Sequence, residues 1–479
     1  MRSLLVLSIA ALAFALGQTT IIPALGELQR EFATDTSGVA WTLTGYLVAA
    51  AVCTPLVGRL GDMFGKQRML VVALGFFAVG SVVSALGTSL EVVVAGRVLQ
   101  GVGGGIFPLC FGIIRDEFPA DRVPSSIGLI SAIAGIGGGA GLVLGGVLVD
   151  NASYHWIFWA AAIMGAVALV TSVLFVPGSP LRVPGRVDVR GALVLAVGLV
   201  LPLIAISHAD EWGWGSARLL GMIGAGAVVL AAWLALQRRT AEPLADVAML
   251  ARPPVLVTNL ATLLVGFGMF GSFLAVPTLA QLPEETGIGF GLDATGAGLL
   301  LLPSSIVMLL VGPLSGLMAT RLGAKVPLAL GSLVSGAAFA LLALNHGSEG
   351  ALILGTVVMA VGMGLAFAAM PNLIVEAVPQ AKTGEATGFN ALVRSVGASL
   401  GSQVTASVIA GSAVAGSVVP TDDGFVQAFF IASGVAVLAG IAAALIPRAP
   451  RHDHVSAASE VGAASPLGDP ALAAVEERR

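Results

Sequence analysis

Two arginines stand inside apolar segments of this sequence, where a charge is costly and therefore informative. Arg97 lies within the run Val92–Ile114, and a cation in the middle of a membrane costs about 2.5–3.5 kcal/mol even on insertion scales. Arg97 is expected to have a role beyond folding; the alternative is a structural arginine that donates hydrogen bonds to carbonyls of a neighbouring helix. For Arg394, near the start of another apolar run, a side chain that reaches the membrane interface is an equally good interpretation.

A second group of charges follows the second apolar run. Asp62, Lys66 and Arg68 stand on a short segment whose glycines allow neighbouring helices to approach closely. The two bases fit a loop that faces the cytoplasm, but they leave the acid unexplained. The glycines of this segment are Gly58, Gly61 and Gly65.

The composition places these residues in a membrane protein. Of 479 residues, 57% are hydrophobic and 10% are charged, whereas soluble domains carry about 25% charged residues. A net charge of −4 offers no basic field for nucleic acid. Cys53 and Cys110 both lie in apolar stretches, which predicts neither a disulfide framework nor a metal site. Without a phosphate-binding loop or a catalytic cluster, the sequence predicts no cofactor and no enzyme activity.

Fourteen runs are long and apolar enough to span a bilayer as helices. They are continuous rather than alternating, which excludes a membrane β-barrel. The runs are Ser3–Leu25, Val39–Val57, Met69–Leu86, Val92–Ile114, Ser125–Val149, Trp156–Val176, Gly191–Ser207, Leu219–Leu236, Val255–Leu279, Thr295–Leu317, Val326–Leu344, Ala351–Val375, Thr387–Ala410 and Phe425–Ile446.

The basic residues orient these spans. If the N-terminus is cytoplasmic, all but four of the 23 Lys and Arg fall on the cytoplasmic side, as the positive-inside rule requires. The four others are Arg97 and Arg394 within spans and Arg30 and Arg218 outside. Both termini are therefore expected in the cytoplasm.

The chain repeats itself. The segment Gly58–Arg68 after the second span has a second copy, Gly316–Lys325, after the tenth, with Thr320 in place of the acid. Internal repeats of this kind are typical of transporters. They predict a six-helix bundle in residues 1–180, a two-helix insert in 181–252, a second six-helix bundle in 253–448 and a disordered tail in 449–479.

These motifs resemble those of the major facilitator superfamily. The segment Gly58–Arg68 resembles its signature loop between the second and third helices, and Arg97 with Gly101, Gly103 and Gly105 resembles its fourth-helix motif. Trp41–Leu47 is similar to the second helix of the fourteen-span drug:proton antiporters. The stretch Gly137–Gly146 resembles the fifth-helix motif of the exporters, although it has Leu142 where they carry proline.

The resemblance implies roles for the charged residues. Asp62 would act as a latch that pairs across the two bundles in one conformation and releases in the other. The family usually carries an Asp in the first helix, but this chain has Gly17 there. Proton coupling would then fall to Asp62, Asp116 or Glu376, with Arg97 sensing their state.

Other residues are expected to pack helices or to line a cavity. Gly137, Gly141, Gly145 and Gly146 have the small-residue spacing of close helix packing, and we expect them to contact the other half of the molecule. The amides and aromatic rings within spans are candidates for a substrate cavity, although buried amides often pair with each other. These candidates are Gln18, Gln100, Phe107, Asn259, Phe270, Asn372 and Asn390.

The sequence therefore predicts an all-α polytopic membrane protein with the major facilitator fold. The expected activity is secondary export of small amphipathic or cationic compounds across the plasma membrane, with protons as the coupled ion and a monomer as the working unit. The alternatives are a metabolite facilitator or symporter with weak or no proton coupling, and a transporter-like receptor or assembly partner.

Overall fold

The computed structural model describes residues 2–34, 36–179, 182, 188–213, 215–413 and 420–447, and this part of the chain is almost entirely helical. The predicted tail, 449–479, lies outside it. Fourteen long helices follow the predicted spans. They are α1 Arg2–Thr19, α2 Thr36–Phe64, α3 Lys66–Ala85, α4 Leu90–Glu117, α5 Val123–Asn151, α6 His155–Phe175, α7 Val189–Ser207, α8 Ala217–Arg239, α9 Pro253–Gln281, α10 Ala294–Leu322, α11 Lys325–Leu344, α12 Glu349–Ala377, α13 Thr383–Gly411 and α14 Asp422–Ala444.

Short elements complete the described chain. A 3₁₀ turn at Val102–Gly105 interrupts α4. Other short helices are Ile22–Ala24, Leu25–Glu31, Ala209–Trp212, Val247–Leu250, Glu284–Thr286 and Gln380–Lys382.

Thirteen of the described helices are long and apolar enough to cross a membrane. The remaining long helix, α13, has 29 residues and so sufficient length, but polar residues such as Arg394, Ser399 and Gln403 lower its hydropathy. The signature segment is more helical than expected. α2 continues to Phe64, so Asp62 lies in its last turn, and Gly65 alone joins α2 to α3. Gly65 has φ +104°, a conformation that favours glycine.

The helices form two six-helix bundles, α1–α6 and α9–α14, with α7 and α8 paired beside them. The bundles meet where α5 packs along α10 and where α2 packs against α13. α7 also contacts α2 and α13. Trp233 of α8 is buried and stacks on Phe389 of α13, with 5.9 Å between ring centroids, so the insert rests on the junction of the two bundles.

The glycines of α5 form two packing faces rather than one. A Cβ at Gly137 or Gly145 would clash with Ala15 or with the carbonyl of Thr20, both in the first bundle. Gly141 faces Thr19, whose hydroxyl donates a hydrogen bond to the carbonyl of Gly137. These three glycines therefore pack within their own half, contrary to expectation. Gly146 faces the other half of the molecule, where a Cβ at this position would stand 3.1 Å from the hydroxyl of Thr295.

Candidate functional site

One end of the molecule is closed by Asp62, and we call it the Asp62 end. The Asp62 carboxylate is buried, and it accepts hydrogen bonds from the backbone N–H groups of Gly384 (3.1 Å) and Glu385 (2.8 Å). These donors belong to the first turn of α13, where helix N–H groups lack partners within the helix and attract a negative charge. Asp62 therefore joins the first bundle to the second. Gly58 lies so close to the carbonyl of Gly384 that a Cβ there would clash.

The basic residue Lys66 of the same segment is held by ion pairs within the first bundle. The buried ammonium of Lys66 lies 2.8 Å from Asp116 and 3.5 Å from Asp62. Asp116 also accepts a hydrogen bond from Gln380 of the second bundle at 3.2 Å. Arg115 reaches across as well, donating to the hydroxyl of Thr383 (2.7 Å) and the carbonyl of Val378 (2.8 Å). The predicted latch residues Asp62, Lys66 and Asp116 thus lie in one network.

A second acid, which the sequence did not single out, extends this network to the insert. Glu385 is buried, and its carboxylate lies 3.6 Å from Arg59. It also accepts a hydrogen bond from the backbone N–H of Asp246 at 2.5 Å, and Asp246 pairs with Lys382 at 2.5 Å. The last part of the insert, after α8, therefore contacts the Asp62 end.

Two other predicted residues contribute less at this end. Glu376 is exposed, and the charge of Arg115 acts on it without a described hydrogen bond. Arg68 is exposed on α3, near Lys66, and no described ion pair includes it.

A cavity of about 230 Å³ lies between the two bundles. No Asp or Glu is among the described residues that line it. Leu203 and Ile206 of the insert complete one wall. The polar lining residues are Gln18, Thr44, Tyr46, Thr54, Arg394, Ser395, Ser399, Ser402 and Gln403, and the large apolar ones include Phe14, Phe107, Met269 and Phe367.

Arg394 supplies the charge of this cavity. It lies eleven residues (394 − 383) beyond the first residue of the 29-residue α13, about 16 Å along a helix of about 43 Å. Its guanidinium stands over the ring of Phe367, 4.5 Å from the centroid. Within the described chain, no hydrogen-bond acceptor or carboxylate is bonded to it. Arg394 therefore lines the cavity rather than reaching the interface.

Arg97, in contrast, is sealed within the first bundle. The residue is 1% exposed and donates hydrogen bonds to the carbonyls of Thr42 (3.0 Å) and Gly17 (2.8 Å) and to the Gln100 amide (2.7 Å). Its guanidinium also lies 4.2 Å from the ring centroid of Tyr46, which separates it from the cavity. These contacts are those of the structural alternative raised by the sequence.

Of the seven predicted cavity residues, Gln18 and Phe107 line the cavity. Gln100, Asn259, Asn372 and Asn390 lie elsewhere because their amides bond to neighbouring groups. Asn390 donates to Asn259 at 2.9 Å, Asn372 donates to the carbonyl of Pro124 at 3.2 Å, and Gln100 donates to Ser81 at 2.6 Å. Phe270 lies on α9, but its side chain is outside the described part.

The sequence model of the Major Facilitator Superfamily matches residues 7–402 and 258–475 of this chain. The chain belongs to that superfamily. Its fold is also that of solved members. The human organic anion transporter MFSD10 (TETRAN) has a TM-score of 0.66 at 18% identity, over 92% of this chain and 99% of that one. The proton:xylose symporter XylE has a TM-score of 0.63 at 15% identity, over 93% and 95%.

Several curated members are similar in sequence. The tetracenomycin C resistance and export protein of Streptomyces glaucescens is 29% identical over 412 residues, covering 85% of this chain and 76% of that protein. Multidrug resistance protein Stp of Mycobacterium tuberculosis (strain CDC 1551 / Oshkosh) is 28% identical, over 81% and 72%. Multidrug resistance protein 3 of Bacillus subtilis (strain 168) is 26% identical, over 82% and 76%. This chain is therefore a multi-pass membrane transporter with relatives named for drug resistance and export.

One face of α13 lines the cavity, and the sequence contains a signal for this face that we did not predict. Ser395, Ser399 and Gln403 recur at intervals of four residues, and Arg394 and Ser402 flank them. This is the spacing of one face of a helix. A polar stripe of this kind on an apolar helix indicates a wet interior surface.

Proposed function

We propose that this transporter exports small amphipathic, drug-like compounds from the cell by alternating access. The names of its relatives support export, and the central cavity between two pseudo-repeated bundles supports alternating access. The positive-inside rule makes the Asp62 end cytoplasmic. Both termini would then be cytoplasmic, in a plasma-membrane protein that works as a monomer.

The observation that carries this proposal is the closure of the Asp62 end by contacts between the bundles. Asp62, Arg115 and Asn372 each bond to a backbone or side-chain group of the opposite bundle. All of these bonds can break together if the bundles rock apart, because they join two bodies whose main cores are largely separate. In this conformation the cavity would be shut off from the cytoplasm, and opening the end would admit cargo.

We further propose that protons are coupled at this end, through Asp62, Asp116 and Glu376. Opening would remove the two N–H donors from Asp62 and the Gln380 amide from Asp116. A carboxyl group whose donors and solvent exposure alternate in this way also alternates in proton affinity. A role for Arg97 in sensing their state stays a prediction.

A facilitator or symporter with weak or no proton coupling is the second candidate. It is favoured by the absence of Asp and Glu from the described cavity lining. It is also favoured by Gly17, whose carbonyl bonds to Arg97 where the related antiporters would carry a carboxylate.

Everted vesicles that contain the full chain test this proposal. An imposed pH gradient, acidic inside and with the membrane potential clamped, should drive uptake of a drug or dye that the protein exports from cells. The triple variant Asp62→Asn, Asp116→Asn and Glu376→Gln should lose this drive but still exchange preloaded cargo. Uptake by the unmodified protein that ignores the pH gradient would select the second candidate.

A matched control removes acids from the opposite end. Glu284 and Glu285 are exposed in the segment between α9 and α10, and Glu284→Gln with Glu285→Gln should leave the response to the pH gradient unchanged. An equal loss of drive in this control would show a general effect of net charge.

A further inference from the structure

We propose that the cavity binds amphipathic organic anions and that the Arg394 guanidinium holds their negative group. This inference rests on the proposed export function and specifies its cargo. It differs from the cationic cargo that the sequence left open, because the charge of the cavity wall is positive.

The first argument is the charge balance of the cavity. Arg394 lies inside a membrane-spanning helix, where an uncompensated cation is unfavourable. Arg97, also inside a spanning helix, donates three hydrogen bonds, whereas the described contact of the Arg394 guanidinium is the face of Phe367. With no carboxylate in the described lining, the cavity would repel a cation and attract an anion.

The second argument is the shape of Arg394 and its surroundings. Gly266 of α9 lies against the aliphatic part of Arg394. A Cβ at position 266 would stand 3.2 Å from the Cγ of Arg394, so a larger residue at 266 would displace the arginine side chain. The guanidinium can donate two parallel hydrogen bonds to a carboxylate, sulfonate or phosphate. Ser395, next in sequence, also lines the cavity, but its hydroxyl donates to the carbonyl of Ala391 at 3.0 Å, so the guanidinium supplies the donors for the negative group.

The remaining wall suits the apolar part of such a ligand. Phe14, Phe107 and Phe367 line the cavity together with Met269, and aromatic rings pack against a flat ligand ring. A bound molecule would therefore place a ring among these side chains and its negative group on Arg394.

An anionic cargo also agrees with the absence of acids near the middle of the spans. The cell interior is electrically negative, so an anion that leaves the cell moves down the membrane potential. A cation would move against it and would depend more strongly on exchange for protons. The potential thus favours export of an anion whatever the contribution of protons.

Binding to the purified full chain in lipid nanodiscs tests the inference without requiring transport. Three probes share one ring system and differ in charge: 2-naphthoate, the neutral 2-naphthamide and the cationic 2-naphthylmethylammonium. We expect naphthoate to bind at least tenfold more tightly than the other two, which corresponds to about 1.4 kcal/mol.

Variants then locate the anion. Arg394→Gln should weaken naphthoate binding about tenfold and change naphthamide binding less than twofold, and Arg394→Lys should restore part of the loss because the charge remains but the planar fork does not. Arg321→Gln is the matched control, since it removes one arginine charge at an exposed end of α10. It should bind naphthoate as the unmodified protein does.

The inference fails if the protein binds naphthoate no more tightly than naphthamide. It also fails if Arg394→Gln and Arg321→Gln weaken naphthoate binding equally. Failure of export is distinguished by a parallel growth-inhibition panel on cells with and without the protein. Protection against cationic or neutral drugs, without anion binding, would sustain the proposed function and reject the anion site. Anion binding without any protection would do the reverse.

Discussion

The two bundles use their charged residues in opposite ways. In the first bundle, Arg97 donates three hydrogen bonds through Nε and Nη1, although its buried Nη2 has no described partner, and Lys66 lies between two carboxylates. In the second, Arg394 faces an open cavity with an aromatic ring as its described contact. A charge that is bonded to groups of the protein stabilises one arrangement of helices, whereas a charge that faces a cavity can bind a ligand.

The two copies of the signature segment differ in the same direction. Asp62 of the first copy crosses to the second bundle, but Thr320 of the second copy is exposed and bonds only to Leu317 of its own helix at 2.8 Å. Lys325 donates to the carbonyl of Ile446 within its own bundle at 3.0 Å. The acid of the first copy therefore joins the bundles by capping α13, whereas the second copy makes no described bond across them.

The largest expected effect separates the two buried arginines. Arg97→Ala removes three hydrogen bonds from a charged donor, each worth about 1.5–3 kcal/mol, but also removes a buried cation. We expect a net destabilisation of about 2–5 kcal/mol, measured as a lower unfolding midpoint of the purified protein. Arg394→Ala should leave the midpoint unchanged or raise it, because it removes a cation that lacks described hydrogen bonds.

The opposite result would restore the coupling role that the sequence suggests for Arg97. If Arg97→Ala unfolds like the unmodified protein but no longer transports, its charge serves the transport cycle rather than the fold. Arg97→Lys extends the test, since an ammonium cannot reach all three acceptors in the fixed geometry of a guanidinium.

The next effect compares the two signature segments. Asp62→Ala removes the carboxylate that caps α13, which should destabilise the closed Asp62 end by about 1–2 kcal/mol, a factor of about 5–30 in the ratio of closed to open forms. A cysteine at position 386 can report on this change, because Ala386 is buried beside Glu385 in the closed form. The substitution Ala386→Cys is made in a protein from which Cys53 and Cys110 have been removed. Alkylation of this cysteine from the Asp62 end should become correspondingly faster.

Thr320→Ala is the control in the second segment. Its hydroxyl is exposed and bonds within its own helix, so the alkylation rate at position 386 should stay within twofold of the reference protein. If both substitutions accelerated alkylation equally, the two segments would contribute equally to closure. The structural difference between the two bundles would then not affect function.

The sequence predicted the helices well because each is a continuous apolar run, and lipid permits few other structures for such a run. It also identified Asp62 and Lys66, since an acid among bases is unexpected on a segment that the positive-inside rule predicts to be cytoplasmic. It could not show that Asp62 caps α13, because Gly384 is 322 residues away and only the packing of the bundles brings it near.

The cavity was harder to predict, for a related reason. Asn390 and Asn259 are polar residues in apolar helices, but they satisfy each other across 131 residues of sequence. For Arg394, the sequence left a side chain at the membrane interface as an equally good interpretation. It could not show that this side chain lines the cavity, because the cavity is formed by helices from both bundles and the insert.

The smallest expected effect concerns the insert, which touches the closed end through Asp246. Partial burial acts to raise the pKa of Asp246, but hydrogen bonds from Lys382 and from the N–H of Met249 outweigh it and hold the pKa below its ordinary value. A lowered pKa means that the pair with Lys382 is fully present above about pH 4 and is lost only as the pH falls through the lowered value.

Asp246→Asn keeps the cap on Met249 and removes the charge. Because both side chains are about one-third exposed, the cost should be about 0.2–1 kcal/mol, and the difference in unfolding midpoint should be the same at pH 8 and pH 5. A difference that disappeared at pH 5 would contradict the lowered pKa of Asp246.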